Sequence, residues 1–498
     1  MLLNIQQLIE EKASKNGYEN EVAITQIKNS KNKIAISYKQ LFQQINNAAN
    51  HLKKLNIKSM DKIYISSEDS LNFIVTFLGA IKVGIIPIPG NPELNLIQKK
   101  QIIDNSRPKL IISDDEIMFN KIQHIKTKKW LDILNEKIIN YNKFYKPKNN
   151  NPAFIIFSSG TTGKPKGIVH SHLSIQNTTY LHEKILKLRP KEKIYTTSKL
   201  FFAYAIGNNF FAPLLLGLNT IFNDCKTTVK ITNIIKNHKP TCIFSVPTMY
   251  RRILKNKNEN HNDFAKVKYF ISAGERVPDK LYHEWYNRTK TTLLNCYGTS
   301  ETLAIIIASR PNKEKIGSTG NPIKNVMTKL VKRKGLNSID SGLLYIKHKG
   351  FSKKYINNNV KSNKTFKSGW INTGDIWKIK NNHWYFEGRE DDLIKVASKW
   401  VNPKEIEKFA FNTEGVIDAF CITAISKEET NRIALFIYTK QKNDDEVRNN
   451  IIKKIKKLPN YKKPYWIKII NKLPQTSTGK VKRNMLKEMI KDGQDNTL

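Results

Sequence analysis

The chain has 498 residues, 39% hydrophobic, 10% aromatic and 26% charged, which excludes a wholly disordered chain, a collagen and a disulfide mini-scaffold. That length allows roughly two to four domains. Its 85 Lys and Arg against 42 Asp and Glu give a net charge of +43, which taken alone points to nucleic acid or an anionic surface. Lysine, however, is spread evenly through the chain, with Asn and Ile its usual companions. A nucleic-acid binder gathers its charge on one stripe and uses Arg for base contacts. The even spread reads as a compositional bias of the whole chain, and no nucleic-acid partner is expected.

The opening MLLNIQQLIEEKASKNG has no basic leader and predicts an amphipathic helix, not a signal peptide. From there to about Gly388, helical patterns such as SLNFIVTFLGAIKVG and PDKLYHEWYNR alternate with apolar runs: KIYISS, KLIIS, AFIIFSSG, TIF, TCIFSV and KYFISAG. Strand, loop and helix in repetition predict an α/β fold of largely parallel sheets covered by helices. The run from Phe201 to Phe222 carries no charge and is long enough to span a bilayer. It also holds Gly207, Asn208, Asn209, Pro213, Gly217 and Asn219, so a buried helix lining a pocket is expected there and no membrane span.

From about Lys313 to Phe386 the segments shorten and Gly recurs, predicting a smaller β-rich subdomain with hairpins. After Arg389 the sequence VNPKEIEKFAFN predicts a capped helix, and VIDAFCITAI and RIALFIYTK predict strands. A basic helix and a Gly-containing loop are expected to close the chain. The expected division is thus a large domain over 1–388 and a small α+β domain over 389–498. The cysteines Cys225, Cys242, Cys296 and Cys421 stand too far apart for a zinc ribbon or redox pair. They read as buried thiols of a protein in the reducing cytoplasm.

The sharpest local signal is FIIFSSGTTGKPKGIVHSH, 154–172, in which an apolar strand runs into a loop rich in hydroxyls, glycine and lysine. Ser158, Ser159, Thr161 and Thr162 supply hydroxyls; Gly160, Gly163 and Gly167 let the backbone approach a ligand; Lys164 and Lys166 add positive charge. Backbone N–H groups, hydroxyls and an ammonium are what a polyphosphate needs. The GxxxxGK[ST] phosphate loop is excluded, because no Ser or Thr follows a Gly-Lys pair at the required place. A generic Ser/Gly-rich turn explains neither this density of hydroxyls nor the flanking strand.

SSGTTGKPKG resembles the signature loop of the adenylate-forming superfamily of acyl-CoA synthetases, peptide-synthetase adenylation domains and beetle luciferases. Five more blocks resemble its motifs in the same order: SAGERVP (272–278), YGTSE (297–301), GWINTGD (369–375), FEGREDDLIK (386–395) and PQTSTGKVKR (474–483). The resemblance implies ATP, Mg²⁺ and coenzyme A as co-substrates and cofactors, and it implies site residues. ATP would be bound by Ser158, Ser159, Gly160, Thr161, Thr162, Gly163 and Lys164; by Ala273, Gly274 and Glu275; by Tyr297, Gly298, Thr299 and Ser300; and by Asp375 and Arg389. Glu301 and Ser158 would serve Mg²⁺, Glu301 and Lys480 would be catalytic, and Asp391 would be the hinge on which the small domain turns between two half-reactions. Several of these residues read plausibly in another way. Tyr297 suits an adenine face or a core, and Asp375 suits ribose hydroxyls or a plain turn.

The segment SKLFFAYAIGNNFFAPLLLG (198–217) resembles the acid-pocket segment of benzoate-CoA ligases. By that match Ala203 and Tyr204 line one side of the acid site, and Gly298, Ala304 and Ile305 line the other; a plain hydrophobic core helix is the alternative. Two positions depart from the pattern. Ala304 stands where benzoate-CoA ligases carry His, which enlarges the slot, and Ser398 stands where the family has Gly beside the thiol tunnel. The expected function is activation of a carboxylic acid, benzoate-like, to acyl-AMP, followed by thioester formation with coenzyme A. The alternative is a stand-alone adenylating enzyme that loads the phosphopantetheine of a carrier protein. The expected assembly is a monomer or homodimer.

Overall fold

The computed structural model describes residues 3–28, 33–115, 122–136, 143–148, 151–159, 165–223, 228–255, 262–332, 340–396, 399–425, 431–439, 444–456, 458–474, 481 and 483–491. The chain folds into two compact units, 1–328 with 346–371, and 329–345 with 372–498.

In the first unit, six strands form the parallel body of a nine-stranded sheet, in the spatial order Val22–Ile27, Asn219–Asn223, Lys193–Thr196, Cys242–Ser245, Tyr269–Ser272 and Leu293–Gly298. Lys33–Ser37 closes one edge antiparallel, and Ile305–Ala308 followed by Asn321–Pro322 closes the other. A second sheet is all parallel, in the order Ile86–Gly90, Lys62–Ser66, Leu110–Ser113, Gln123–Ile125. Parallel strands are covered on both faces, which is why these segments are unbroken apolar runs rather than alternating ones. Cys242–Ser245 is buried throughout. The helix Leu71–Lys82, capped by Ser70 on Phe73 N–H, is buried on almost every side, as its continuous apolar sequence requires. The α/β architecture with parallel sheets is the expected one.

Three local expectations change. The run from Phe201 to Phe222 is a helix and then a strand: helical turns at Ala203–Ala205, a π-helix at Ile206–Phe211, helix again at Ala212–Leu216, and the strand Asn219–Asn223. Gly217, with φ of 71°, ends the helix in the left-handed conformation that glycine adopts without strain. The end of the SSGTTGKPKG block is a strand too: Pro165–Ser171 pairs antiparallel with Pro152–Ser159, while residues 160–164 lie outside the described residues. Finally, the expected basic helix is followed by more regular structure than the sequence suggests, and the Gly-containing loop lies outside the described residues. The strand Trp466–Ile470 and the amphipathic helix Arg483–Lys491 follow the helix Asp444–Ile455.

The second unit is built on Val416–Ile425 and Asn431–Thr439, antiparallel, with Trp466–Ile470 parallel to the latter. Helix Pro403–Phe411 begins with Pro at its first turn and Asn402 accepting from Lys404 N–H, the capped start that VNPKE predicts. Its Glu407 accepts from Cys421 N–H at 3.0 Å and from Lys404 Nζ at 2.6 Å, tying helix to sheet.

Buried titratable groups give the first unit a signed pH dependence. Burial holds His170, His172 and His182 down to about 4, below the ordinary 6.5. The unfolded chain therefore takes up these protons first, and the stability they confer is complete above pH 6.5 and is lost as pH falls toward 4. Asp69 acts in the opposite sense. Burial raises it to about 6 from 3.8, against the pull of Lys199 and the Leu200 N–H, so it favours the folded state as pH falls through that window. With three groups against one and at most about 1.4 kcal/mol per pH unit per group, stability should fall between pH 6.5 and 4.5. Urea unfolding at both pH values should show a lower midpoint at the acid end, and His172→Gln should flatten the slope. An unchanged midpoint would contradict the buried neutral imidazoles.

Candidate active site

The C-terminal ends of parallel strands are where open α/β sheets bind ligands. Here Tyr269–Ser272 and Leu293–Gly298 are neighbours, with Ser272 opposite Asn295, so the turn after one strand and the motif ending the other emerge side by side. Ala273 is buried, Gly274 has φ of 86°, and Glu275 accepts from Thr248 Oγ1 at 2.8 Å. Tyr297 is only partly buried, which separates it from a core tyrosine.

The loop 298–305 is compressed. Thr299 O accepts from the N–H of both Thr302 and Leu303, and the Thr302 hydroxyl sits 2.9 Å from Thr299 O and 2.8 Å from Ala304 O. Leu303 takes φ of 58°, a costly conformation for a branched residue that its burial and these bonds enforce. Gly298 lies opposite Ile305, and a Cβ at Gly298 would stand 2.5 Å from Ala304 O, so this position requires glycine. The Thr299 hydroxyl is buried and has no partner among the described residues, an unmet hydrogen-bonding group.

Segments remote in sequence pin this loop. His170, on the hairpin strand Pro165–Ser171, has Nε2 at 2.9 Å from Ser300 O and stacks on Phe154. The same strand meets residues 354–356: Val169 N–H donates to Lys354 O, Ile356 N–H donates to Gly167 O, and Ile168 bridges Tyr355. Tyr355 is thereby laid against Glu301, donating its phenol to Glu301 Oε1 at 2.8 Å, while Ser352 N–H donates to Glu301 O. The hairpin strand Pro165–Ser171 and the acidic residue are thus parts of one framework. Sequence reasoning missed His170, Thr302 and Tyr355; the pattern YINN alone gives no sign of a partner 54 residues upstream.

The carboxylate fits Mg²⁺. One oxygen of Glu301 is engaged by Tyr355, and no cation pairs with it among the described residues. Those residues also contain no group of three or more His, Cys, Asp or Glu placed to hold a metal ion by themselves. Mg²⁺ prefers such a site, with one or two carboxylates and the rest of its shell from substrate phosphates and water.

The acid-pocket segment packs directly on the loop. Gly207 is so close to it that a Cβ there would stand 2.0 Å from Leu303 O. Tyr204, partly buried, packs against a cluster that includes Phe244, Ile271, Ala273, Cys296 and Ile305. Its hydroxyl reaches toward Ser245 O and Ile271 O, and burial raises its phenol well above the ordinary range, so it stays neutral. Ala203 is partly buried; Ala304 is almost fully buried. Of the cysteines, Cys242, Cys296 and Cys421 are buried thiols outside any disulfide, and burial raises Cys296 to about 12; Cys225 lies outside the described residues.

In the second unit Asp375 is not in a turn but inside the strand Trp370–Lys380, opposite Arg389. Gly374 with φ of 69° breaks the pleat beside it, Thr373 Oγ1 accepts from Asp375 N–H, and Arg389 Nη1 stands 3.5 Å from Asp375 Oδ1. Asp391 sits in the short turn Glu390–Asp392. Gly160, Thr161, Thr162, Gly163, Lys164, Ser398 and Lys480 lie outside the described residues, as does the side chain of Ser159; Ser158 is partly buried at the hairpin's end, opposite Lys166.

A parallel α/β sheet whose strand ends carry a positive-φ turn and a loop with a carboxylate suited to Mg²⁺, braced by a separate hairpin, suits an enzyme of the adenylate-forming class. The chain belongs to the AMP-binding enzyme family, whose model matches residues 9–356. It is 26% identical to the 3-hydroxybenzoate–CoA ligase of Aromatoleum sp. (strain CIB), over 92% of each chain. It is 27% identical to the benzoate–CoA ligase of Thauera aromatica, over 91% of this chain and 90% of that one. Among solved structures it shares the fold of a benzoate CoA ligase from Burkholderia xenovorans LB400, with TM-score 0.85 and 24% identity over 98% of this chain and 100% of the other. An anthranilate CoA ligase in complex with anthranoyl-AMP gives TM-score 0.88 and 24% identity over 98% and 97%. No helix among the described residues is long and apolar enough to cross a membrane.

Proposed function

We propose that the protein activates an aromatic carboxylic acid of the benzoate type with ATP and passes the acyl group to coenzyme A, in the cytoplasm. The observation that carries this reading is the packing of Gly207 on Leu303 O, which lays the Ala203–Tyr204 segment against the 298–305 loop. The result suits a narrow apolar slot for an aryl ring, bounded by an aromatic edge and small residues. The aryl acid–CoA ligases to which the chain is similar support the same substrate class.

A carboxylate oxygen attacks the α-phosphorus of ATP, the bond to the pyrophosphate oxygen breaks, and acyl-AMP and pyrophosphate result. The thiol then attacks the acyl carbon and AMP leaves. Negative charge grows on the phosphoryl oxygens in the first step, and fixed donors and cations aimed there lower the barrier. We assign this task to the loop 158–164, the Thr299 hydroxyl and Lys480. Glu301 would hold Mg²⁺, with Ser158 near it, and the ion would neutralise phosphate charge. Asp375 and Arg389 would serve the ribose. The domain 389–498 would turn about Asp391 between the two steps.

Ala304 should set the size of the acid. His in its place fills the slot and adds a polar contact, so Ala304→His should shift preference toward unsubstituted benzoate. A methylene in such a pocket discriminates by only about 1–3 kcal/mol, so a partial shift is expected. Comparing kcat/KM over benzoate and larger aryl acids checks it, and an unaltered order would show that Ala304 does not face the acid. Ser398 favours a second reading, a carrier-protein acceptor, because a side chain stands there where the family keeps a thiol tunnel open. Mass spectrometry of the products formed with coenzyme A and with a phosphopantetheinylated carrier protein separates the two acceptors.

A further inference from the structure

The π-helix Ile206–Phe211 leaves two carbonyls over. Pro213 stands five residues after Asn208 and four after Asn209, the spacings at which π- and α-turns pair, and proline has no N–H to give. Ala212 N–H, the donor an α-turn would send to Asn208 O, goes instead to Gly207 O. Both orphaned carbonyls are buried and both are met from outside the helix, as buried backbone groups must be. Thr220 Oγ1 donates to Asn209 O at 3.0 Å, and His182 Nε2 lies 2.9 Å from Asn208 O. A carbonyl only accepts, so the imidazole proton is on Nε2.

His182 therefore occupies the acceptor that an all-α register would need. Its ring stacks on Phe244, centroids 5.1 Å apart, and Phe244 meets the edge of Tyr204 at 6.0 Å. The Asn208 side chain in turn donates to Tyr204 O at 2.9 Å. Relaxing the π-turn to α would rotate the residues before it by about 100° relative to those after it. Ala203 and Tyr204 are the residues before it.

We infer that His182 is a positioning residue of the acid slot: by holding Asn208 O it keeps the π-turn that aims Ala203 and Tyr204. The inference rests on the acid-activation reading above. His182→Leu should raise the KM for the aromatic acid about tenfold and leave the KM for ATP within about twofold, the scale of a small misplacement of a bound reactant. His182→Gln, whose side-chain N–H can reach the same carbonyl, should recover most of the loss. Equal losses in the two variants, or acid and ATP KM rising together, would overturn the proposal. Should the Leu variant fail to fold, ¹⁵N-histidine spectra of the wild-type protein still decide: the Nε2–H tautomer is expected from neutral pH down to about 5, and an Nδ1–H tautomer excludes the clamp. If wild type activates no aromatic acid, the proposed function fails, while the tautomer result still decides the clamp.

Discussion

Lys480→Ala should lower acyl-AMP formation from ATP by about 10²–10³-fold while the fold is retained, the loss typical of one removed group at a developing oxyanion. Lys480 follows TSTG in the block resembling the family's catalytic lysine loop. An ammonium there would be most useful when the α-phosphorus is five-coordinate and its oxygens carry the most charge. Transfer to the thiol from supplied acyl-AMP should survive, because that step takes place at the acyl carbon with AMP as leaving group, and the proposed turn about Asp391 would by then have taken Lys480 out of the site. Pre-steady-state pyrophosphate release, measured beside thioester formation from synthetic acyl-AMP, separates the half-reactions. Adenylation near the wild-type rate would remove Lys480 from the catalytic set.

Gly207→Ala should cost about 10–100-fold in kcat/KM for the acid, the range expected when a bound reactant is displaced by a fraction of an ångström to an ångström. The added methyl would stand 2.0 Å from Leu303 O, and the obstacle is backbone, so no rotamer change relieves it. The 298–305 loop is braced by Thr302 and by the left-handed Leu303, so the helix is the part that must move. Overpacking of this kind costs about 1–3 kcal/mol of stability, so a lower melting temperature should accompany the kinetic loss. Wild-type kinetics in a folded Gly207→Ala protein would mean that the helix is not the wall of the acid site.

The parallel sheets were readable because buried parallel strands are continuous apolar runs: KIYISS, KLIIS and TCIFSV each sit within a residue or two of the strands Lys62–Ser66, Leu110–Ser113 and Cys242–Ser245. PKGIVHS was less readable as a strand, since its Pro, Lys and Gly look like loop; Pro165 is tolerated as the first residue of its strand. The π-helix was invisible for a different reason. Pro213 announces missing donors, but whether a helix kinks, ends or widens depends on which remote groups take the orphaned carbonyls, here His182 and Thr220. Likewise, Thr-Gly-Asp reads as a turn until Gly374 and the pairing with the strand His383–Arg389 place Asp375 within a strand. Composition and periodicity carried the fold; the roles of single residues came from the ordered motifs, and the braces on Glu301 and Tyr204 only from three dimensions.

Activation of an aromatic acid is decided by acid-dependent pyrophosphate release from ATP by the wild-type chain, over a panel of aryl and alkyl carboxylates, each with and without coenzyme A. Aryl acids larger than benzoate should release pyrophosphate fastest, short alkyl acids should lag, and release should be coupled to formation of the aryl thioester when coenzyme A is present. Release that ignores ring structure, or that favours alkyl over aryl acids across the panel, would contradict it.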